Sequence, residues 1–124
     1  MAPKRLALEI AKIAEEKKAQ QVVLMDLSGL SVVCDYFLIC SGESSVHMRA
    51  IAKDLEEKLS KKGITLLNSG GYFDKRWILL DFGNVVVHIF SPETREYYQL
   101  ERLWADAKRK DISDFSRTKD KINI

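Results

Sequence analysis

The sequence has few cysteines and histidines and no long apolar run, which are the features of metal sites, disulfide frameworks and membrane spans. It contains two cysteines and two histidines in 124 residues, and its apolar runs are shorter than the roughly 20 residues that a membrane-spanning helix needs. Cys34 and Cys40 are too few for a disulfide framework and lack the spacing of a zinc site, so we expect buried, free thiols. The N-terminal residues carry charges where a secretory signal has an apolar core. These absences favour a cytoplasmic protein with no membrane partner.

The motifs that mark most enzymes are also missing. No nucleophile elbow or cysteine-protease signature accompanies His47 or His88, and no His or Cys pair has the spacing of metal ligands. The turn at residues 41–45 could hold a phosphate against backbone N–H groups, but helix capping also explains its serines. No Asp-x-Asp pair is present to hold a catalytic metal. We predict no catalytic residues, no metal and no cofactor; the alternative is a nucleotide-binding or nucleotidyltransferase-like enzyme that uses this turn.

Charge is distributed unevenly along the chain. Residues 1–104 contain 14 lysines and arginines and 14 acids, whereas residues 105–124 contain six and four. Binding nucleic acid through its phosphates requires a net basic surface, so the neutral part is not expected to bind DNA or RNA by charge alone. The C-terminal residues also show little apolar periodicity. We therefore predict one domain at residues 1–107 and a polar, flexible tail at residues 108–124, which could add a minor RNA contact.

The periodicity of apolar residues predicts a single α/β domain. Helices are predicted over residues 3–18 and from Ser44 or Ser45 to Gly63, and strands over residues 22–27, 35–40 and 64–67, with a loop at 68–71. Two further strand patterns, residues 77–82 and 85–90, flank Gly83-Asn84 and predict a tight hairpin. Ser91 and Pro92 then predict the start of a last helix.

The hairpin is predicted to sort its side chains onto two faces. One face is entirely apolar and is expected to belong to the core: Ile78, Leu80, Phe82, Val85, Val87 and Ile89. The other, which we call the mixed face, combines apolar and aromatic residues with one acid and one imidazole: Trp77, Leu79, Asp81, Val86, His88 and Phe90. Such a composition is typical of protein interfaces. It is equally compatible with a second covering layer, in which Asp81 and His88 are buried polar groups with partners.

Four segments resemble one known family. WILLDFGNVVVHIF at residues 77–90, followed by PETREYYQLERLW at 92–104, closely resembles the signature of the RsfS/iojap family. The resemblance extends upstream through CDYFLICSGESS at 34–45 and RAIA at 49–52, and covers roughly residues 3–107. It implies a five-stranded mixed sheet with flanking helices, related to the nucleotidyltransferase fold but without its catalytic acids.

The resemblance also implies a function that involves binding and no catalysis. Family members bind the fourteenth protein of the large ribosomal subunit and prevent the two subunits from joining, which represses translation when nutrients are scarce. Members also tend to form homodimers. By this resemblance the mixed face would be the docking surface, its aromatic residues would supply most of the binding energy, and Asp81 would meet a basic ribosomal protein. A polar rim on the following helix would comprise Glu93, Arg95, Tyr97 and Glu101, and the tail could touch ribosomal RNA.

Overall fold

The computed structural model describes residues 1–32, 34–70, 76–103 and 108–111, with only the backbone described for Leu103 and residues 109–111. Its elements, in chain order, are α1 (Pro3–Glu16), β1 (Gln20–Asp26), β2 (Tyr36–Ser41), α2 (Ser45–Ser60), β3 (Asn68–Gly70), β4 (Trp77–Asp81), β5 (Val85–Phe90), α3 (Pro92–Tyr98), α4 (Leu100–Leu103) and β6 (Lys108–Asp111). None of the described helices is long and apolar enough to cross a membrane.

The strands form one mixed sheet in the order β3-β4-β5-β2-β1-β6. Strands β2 and β5 run parallel, and the other neighbouring pairs are antiparallel. Both α1 and α2 pack on one face of the sheet, where they bury the larger apolar core. The predicted α/β fold, with a five-stranded mixed sheet and flanking helices, is confirmed, and β6 adds a short sixth strand at one edge.

The sequence signals at the helix starts act as predicted. Pro3 occupies the first turn of α1, where no backbone N–H partner is lost, and Leu6, Ile10 and Ile13 recur at the spacing that turns them all toward the sheet. At the start of α2 the Ser44 hydroxyl accepts a hydrogen bond from the His47 backbone N–H at 3.1 Å. This cap satisfies one of the free N–H groups of the first turn.

The hairpin has the predicted register throughout. Trp77 pairs with Phe90 and Asp81 with Val86, and the three pairs between them follow in order. The Phe82 N–H donates to the Val85 carbonyl at 3.0 Å and closes the two-residue turn. Gly83 has φ +91°, a value that residues with a side chain rarely adopt. All six residues of the predicted apolar face are buried beneath the helices.

Three predicted elements differ in the structure. The third strand is not residues 64–67 but Asn68–Gly70, because the chain approaches the sheet with Ile64 and Leu66 packed on the core and pairs with β4 only afterwards. The last helix is interrupted at Gln99, whose φ of +48° ends α3 before α4 begins. The first four residues of the predicted tail form β6, which pairs antiparallel with β1, so the sheet extends past the predicted boundary at residue 107. Residues 112–124 lie outside the described residues.

The turn at residues 41–45 is closely packed. The His47 ring links it to α1, because Nδ1 accepts from the Glu43 N–H at 2.9 Å and Nε2 lies 2.9 Å from the Lys17 carbonyl. The Gly42 N–H donates to the Phe90 carbonyl at 3.0 Å. Together with the Ser44 cap, these bonds favour the interpretation of the turn as a helix start.

Replacing Gly42 with alanine is expected to destabilise the fold by about 1–3 kcal/mol, the usual cost of overpacking. A Cβ at this position would lie 2.6 Å from Met48 Cγ and 3.0 Å from the Met48 backbone nitrogen. Urea unfolding would measure the loss. Gly70→Ala is the matched control, since no described atom lies within 4 Å of its added Cβ. Equal stabilities for the two variants would contradict this packing.

Candidate docking surface

The mixed face divides into a buried half and an accessible half. On β5, Val86, His88 and Phe90 have only 8%, 5% and 1% of their surface exposed, whereas Trp77, Leu79 and Asp81 on β4 are half-buried. The difference arises because β5 lies inside the sheet, while β4 has only the three-residue β3 beyond it. The covered-layer interpretation therefore holds for β5, and the side chains of β4 stay accessible, as a docking surface would require.

The buried half belongs to a second, smaller core on the face opposite α1 and α2. The parallel pairing of β2 with β5 brings Phe37 beside Val86 and Ile39 beside His88. The cluster's buried residues are Met25, Leu27, Cys34, Ile39, Val86 and Phe90. Cys40 is buried in the larger core, and desolvation there raises its thiol pKa to about 12. Both cysteines are free and buried, as predicted.

Aromatic rings connect the second core to the surface. The Trp77 ring centroid lies 4.9 Å from that of Phe90 and 5.0 Å from that of Tyr98, and Tyr97 packs edge-on against Tyr98 at 5.1 Å. Exposure rises along this series from 1% at Phe90 to 49% at Tyr98 and 81% at Tyr97. A groove of about 780 Å³ runs along these rings. Its lining residues are Arg76, Trp77, Ser91, Glu93, Thr94, Tyr97 and Tyr98.

His88 supports Trp77 from beneath. The Trp77 indole N–H donates to His88 Nδ1 at 3.2 Å, so the neutral ring carries its proton on Nε2. Nε2 is buried and has no hydrogen-bond partner among the residues that the structure describes. The Phe37 ring packs edge-on against the imidazole at 4.5 Å. Desolvation lowers the pKa of His88 to about 4, because a charged imidazole would lose its hydration in these surroundings.

The depressed pKa predicts a loss of stability in mild acid. Between about pH 6.5 and pH 4 the unfolded chain binds a proton at His88 that the folded protein excludes, so the unfolding free energy falls as the pH falls. The full shift corresponds to about 3 kcal/mol. We expect urea unfolding at pH 7 and pH 4.5 to show this loss in the wild type, and a flatter dependence in His88→Asn, whose amide can still accept from Trp77. Identical pH dependences in the wild type and in His88→Asn would show that His88 does not cause the loss of stability in acid.

Asp81 has a structural role at the hairpin turn. Its Oδ1 accepts a hydrogen bond from the Gly83 backbone N–H at 2.8 Å, and Asp81 is half-buried at the end of β4 next to the turn. The backbone of the turn thus gives this acid a hydrogen-bond partner within the chain. The acidic side chain lies on the same face of the hairpin as Leu79 and Val86.

The predicted rim is only partly at the surface. Glu93 and Tyr97 are exposed on α3, but Arg95 is 7% exposed and forms an ion pair at 3.0 Å with the half-buried Glu101. Arg95 therefore does not belong to an exposed rim, because its guanidinium donates to groups inside the protein.

Two residues of this region were missed by the sequence argument. Tyr98 packs beside Trp77 with its ring tilted, and Phe37 contacts His88 from the neighbouring strand. The pair Tyr97-Tyr98 was a signal for Tyr98. Two adjacent rings at the end of a helix point in different directions, so at least one of them is expected to be exposed. Phe37 had no comparable signal, since its position depends on the pairing of β2 with β5.

Comparison with known proteins identifies the family. The family model described as "Ribosomal silencing factor during starvation" matches residues 1–123. The chain belongs to the RsfS family. The match extends past residue 107, where the resemblance was expected to end, and so includes β6.

Similar RsfS proteins cover most of the chain. The ribosomal silencing factor RsfS of Bacillus subtilis is 42% identical over 106 residues, which are 85% of this chain and 90% of that protein. The protein of the same name from Halalkalibacterium halodurans is 45% identical over 93 residues, 75% of this chain and 80% of that one. A crystal structure of a Chromobacterium violaceum protein superimposes with a TM-score of 0.82 at 28% identity, over 85% of this chain and 88% of that one.

Proposed function

We propose that this RsfS-family chain binds the large ribosomal subunit through its fourteenth protein and blocks the joining of the two subunits, which represses translation when nutrients are scarce. The chain acts by occupying a surface, and no bond is made or broken. The observation that carries the proposal is the cluster of accessible aromatic rings on β4 and α3, in a groove that is also lined by the acidic Glu93. We call this set the docking surface: Trp77, Leu79, Asp81, Glu93, Tyr97 and Tyr98.

The aromatic part of this surface suits a protein partner. Binding energy at interfaces concentrates in a few large aromatic side chains, and Trp and Tyr are the residues most enriched there. Trp77 is already held by Phe90 beneath it and by its hydrogen bond to His88. A side chain fixed before binding loses little conformational entropy on association. His88 and Phe90 therefore contribute as buried support for Trp77, whereas Val86 lies in the second core opposite Asp81.

The acidic part of the surface favours a basic partner. Glu93 is exposed at the start of α3 and lines the aromatic groove, and Asp81 lies on the mixed face at the hairpin end of β4. Opposite charges across an interface speed association and discriminate against wrong partners more than they add affinity. Association with a basic ribosomal protein should accordingly slow as salt is raised.

We further propose that the protein acts in the cytoplasm, has no membrane partner, and forms a homodimer when it is not bound to the ribosome. The six basic residues within 105–124 are the ones suited to a minor contact with ribosomal RNA.

Sedimentation of the protein with ribosomal particles tests the proposal. The wild type should travel with free large subunits and be absent from small subunits and joined ribosomes. Added in excess to separated subunits, it should reduce the joined fraction in a sucrose gradient. Equal binding to free and joined particles would contradict the proposed mechanism. A thermal shift with ATP or GTP and Mg²⁺ would instead support a nucleotide-binding enzyme.

A further inference from the structure

Strand β1 contains a β-bulge close to α3. The pairing of β1 with β2 shifts between Gln20 and Val23, so β1 has one residue more than its partner in this stretch. Gln21 lies within the bulge and has φ +47°, an unusual value for a residue with a side chain. A bulge interrupts the ladder of backbone hydrogen bonds, and carbonyl groups there require other donors.

Arg95 supplies these donors from α3. Its Nη1 donates to the Gln21 carbonyl at 2.6 Å and to the Ser41 hydroxyl at 3.3 Å, and it lies 3.5 Å from the Gln20 carbonyl. Its Nη2 forms the 3.0 Å ion pair with Glu101 on α4. One guanidinium thus joins α3 to the bulge of β1, the end of β2 and the next helix.

This contact is the main buried attachment of α3. The helix has seven residues, and Arg95 is its only buried one. Helices this short are not stable on their own and depend on tertiary contacts for their structure. The helix ends at Gln99, whose N–H donates to the Arg95 carbonyl at 2.9 Å, so Arg95 also participates in the helix end.

We infer that Arg95 is a positioning residue for the docking surface: anchored at the β1 bulge, it holds α3 so that Tyr97 and Tyr98 stay beside Trp77. The affinity part of this inference rests on the proposed function. Arginine suits this role because the two terminal nitrogens of its planar guanidinium can donate to the bulge and to a carboxylate at once. A lysine side chain has only one nitrogen with which to make both contacts. Removing the guanidinium would leave the Glu101 carboxylate without its ion-pair partner and the bulge carbonyls without a hydrogen-bond donor.

The test compares Arg95→Met and Arg95→Lys with Arg102→Met, which removes an exposed arginine from α4. Changes that act on a site through intervening residues alter its affinity by roughly 2- to 30-fold, and we expect Arg95→Met to weaken large-subunit binding about tenfold. Arg95→Lys should lie between Arg95→Met and the wild type, and Arg102→Met should match the wild type.

Amide hydrogen exchange separates positioning from a general loss of stability. Arg95→Met should speed the exchange of the backbone amides at positions 95 and 99, which close the turns of α3, while the amides of α2 keep their wild-type rates. If Arg95→Met does not fold, the same comparison is made with Arg95→Lys. Unchanged exchange in α3, or equal acceleration in α2, would overturn the inference. If the wild type itself fails to bind large subunits, the proposed function fails, and the exchange rates still decide whether Arg95 holds α3.

Discussion

Truncating Trp77 to alanine is expected to weaken binding to the large ribosomal subunit by about thirtyfold or more, which corresponds to ~2 kcal/mol, the usual loss at a central aromatic residue of an interface. The indole is half-buried and lies between the buried Phe90 and the exposed tyrosines of α3. Trp77 contacts both the second core and the exposed rings of the docking surface. Its removal takes away apolar contact area and the ring against which Tyr98 packs. Co-sedimentation at graded protein concentrations would measure the affinity.

The same substitution also lowers the stability of the free protein, so a second variant is needed to separate stability from binding. Without the indole N–H, neither ring nitrogen of His88 has a partner among the described residues, and a lost buried hydrogen bond costs about 1–3 kcal/mol. Trp77→Phe loses the same donor and keeps most of the ring. We expect both variants to lose stability, but Trp77→Phe to retain most of the binding. Val46→Ala, an exposed site on α2, controls for unrelated effects. Wild-type binding by Trp77→Ala would place the docking surface elsewhere.

The hairpin could be predicted because its information is local. Gly83-Asn84 supplies a turn with a positive φ at Gly83, and strict alternation on both sides fixes which residues share a face. A shift of one residue would have turned the entire apolar face away from the helices. The register and the six buried residues of that face therefore followed from the sequence alone.

The burial of the mixed face could not be predicted in the same way. Val86, His88 and Phe90 are covered because β5 pairs with β2, about 50 positions earlier in the chain, and the hairpin pattern contains no trace of that pairing. Strand alternation predicts the same environment, either buried or accessible, for all six residues of this face. The sheet order instead divides it, since β4 lies nearer the edge than β5.

The burial of Arg95 and the formation of β6 could not be predicted from the sequence either. A lone arginine on a short helix is usually exposed, and the backbone bulge that draws Arg95 inward has no sequence signature. Strand β6 has the sequence Lys-Arg-Lys-Asp, which lacks apolar alternation, so its polar composition suggested a tail. It joins the sheet through backbone pairing with β1, and an edge strand can do so with polar side chains.

Replacing Asp81 with lysine is expected to weaken docking by at least about a hundredfold, because like charges placed together across an interface cost several kcal/mol. The structure adds that this variant also loses the acceptor for the Gly83 N–H, so the free protein should lose roughly 1 kcal/mol of stability and remain folded. Subunit joining and circular dichroism, measured on the same preparation, report on the two effects. Glu57→Lys, an equal change of charge on an exposed site of α2, should leave both unchanged.

Asp81→Asn separates the charge from the turn. The asparagine side-chain oxygen can still accept from the Gly83 N–H, so stability should stay within about 0.5 kcal/mol of the wild type, as for most accessible substitutions that keep their contacts. The negative charge is gone, and we expect slower association with the large subunit and a weaker dependence on salt, the usual result of removing a charge at the edge of an interface. An Asp81→Asn protein with wild-type association rate and salt dependence would show that this carboxylate meets no cation on the ribosome. Asp81 would then serve the hairpin turn alone, and the basic partner would have to be met by Glu93.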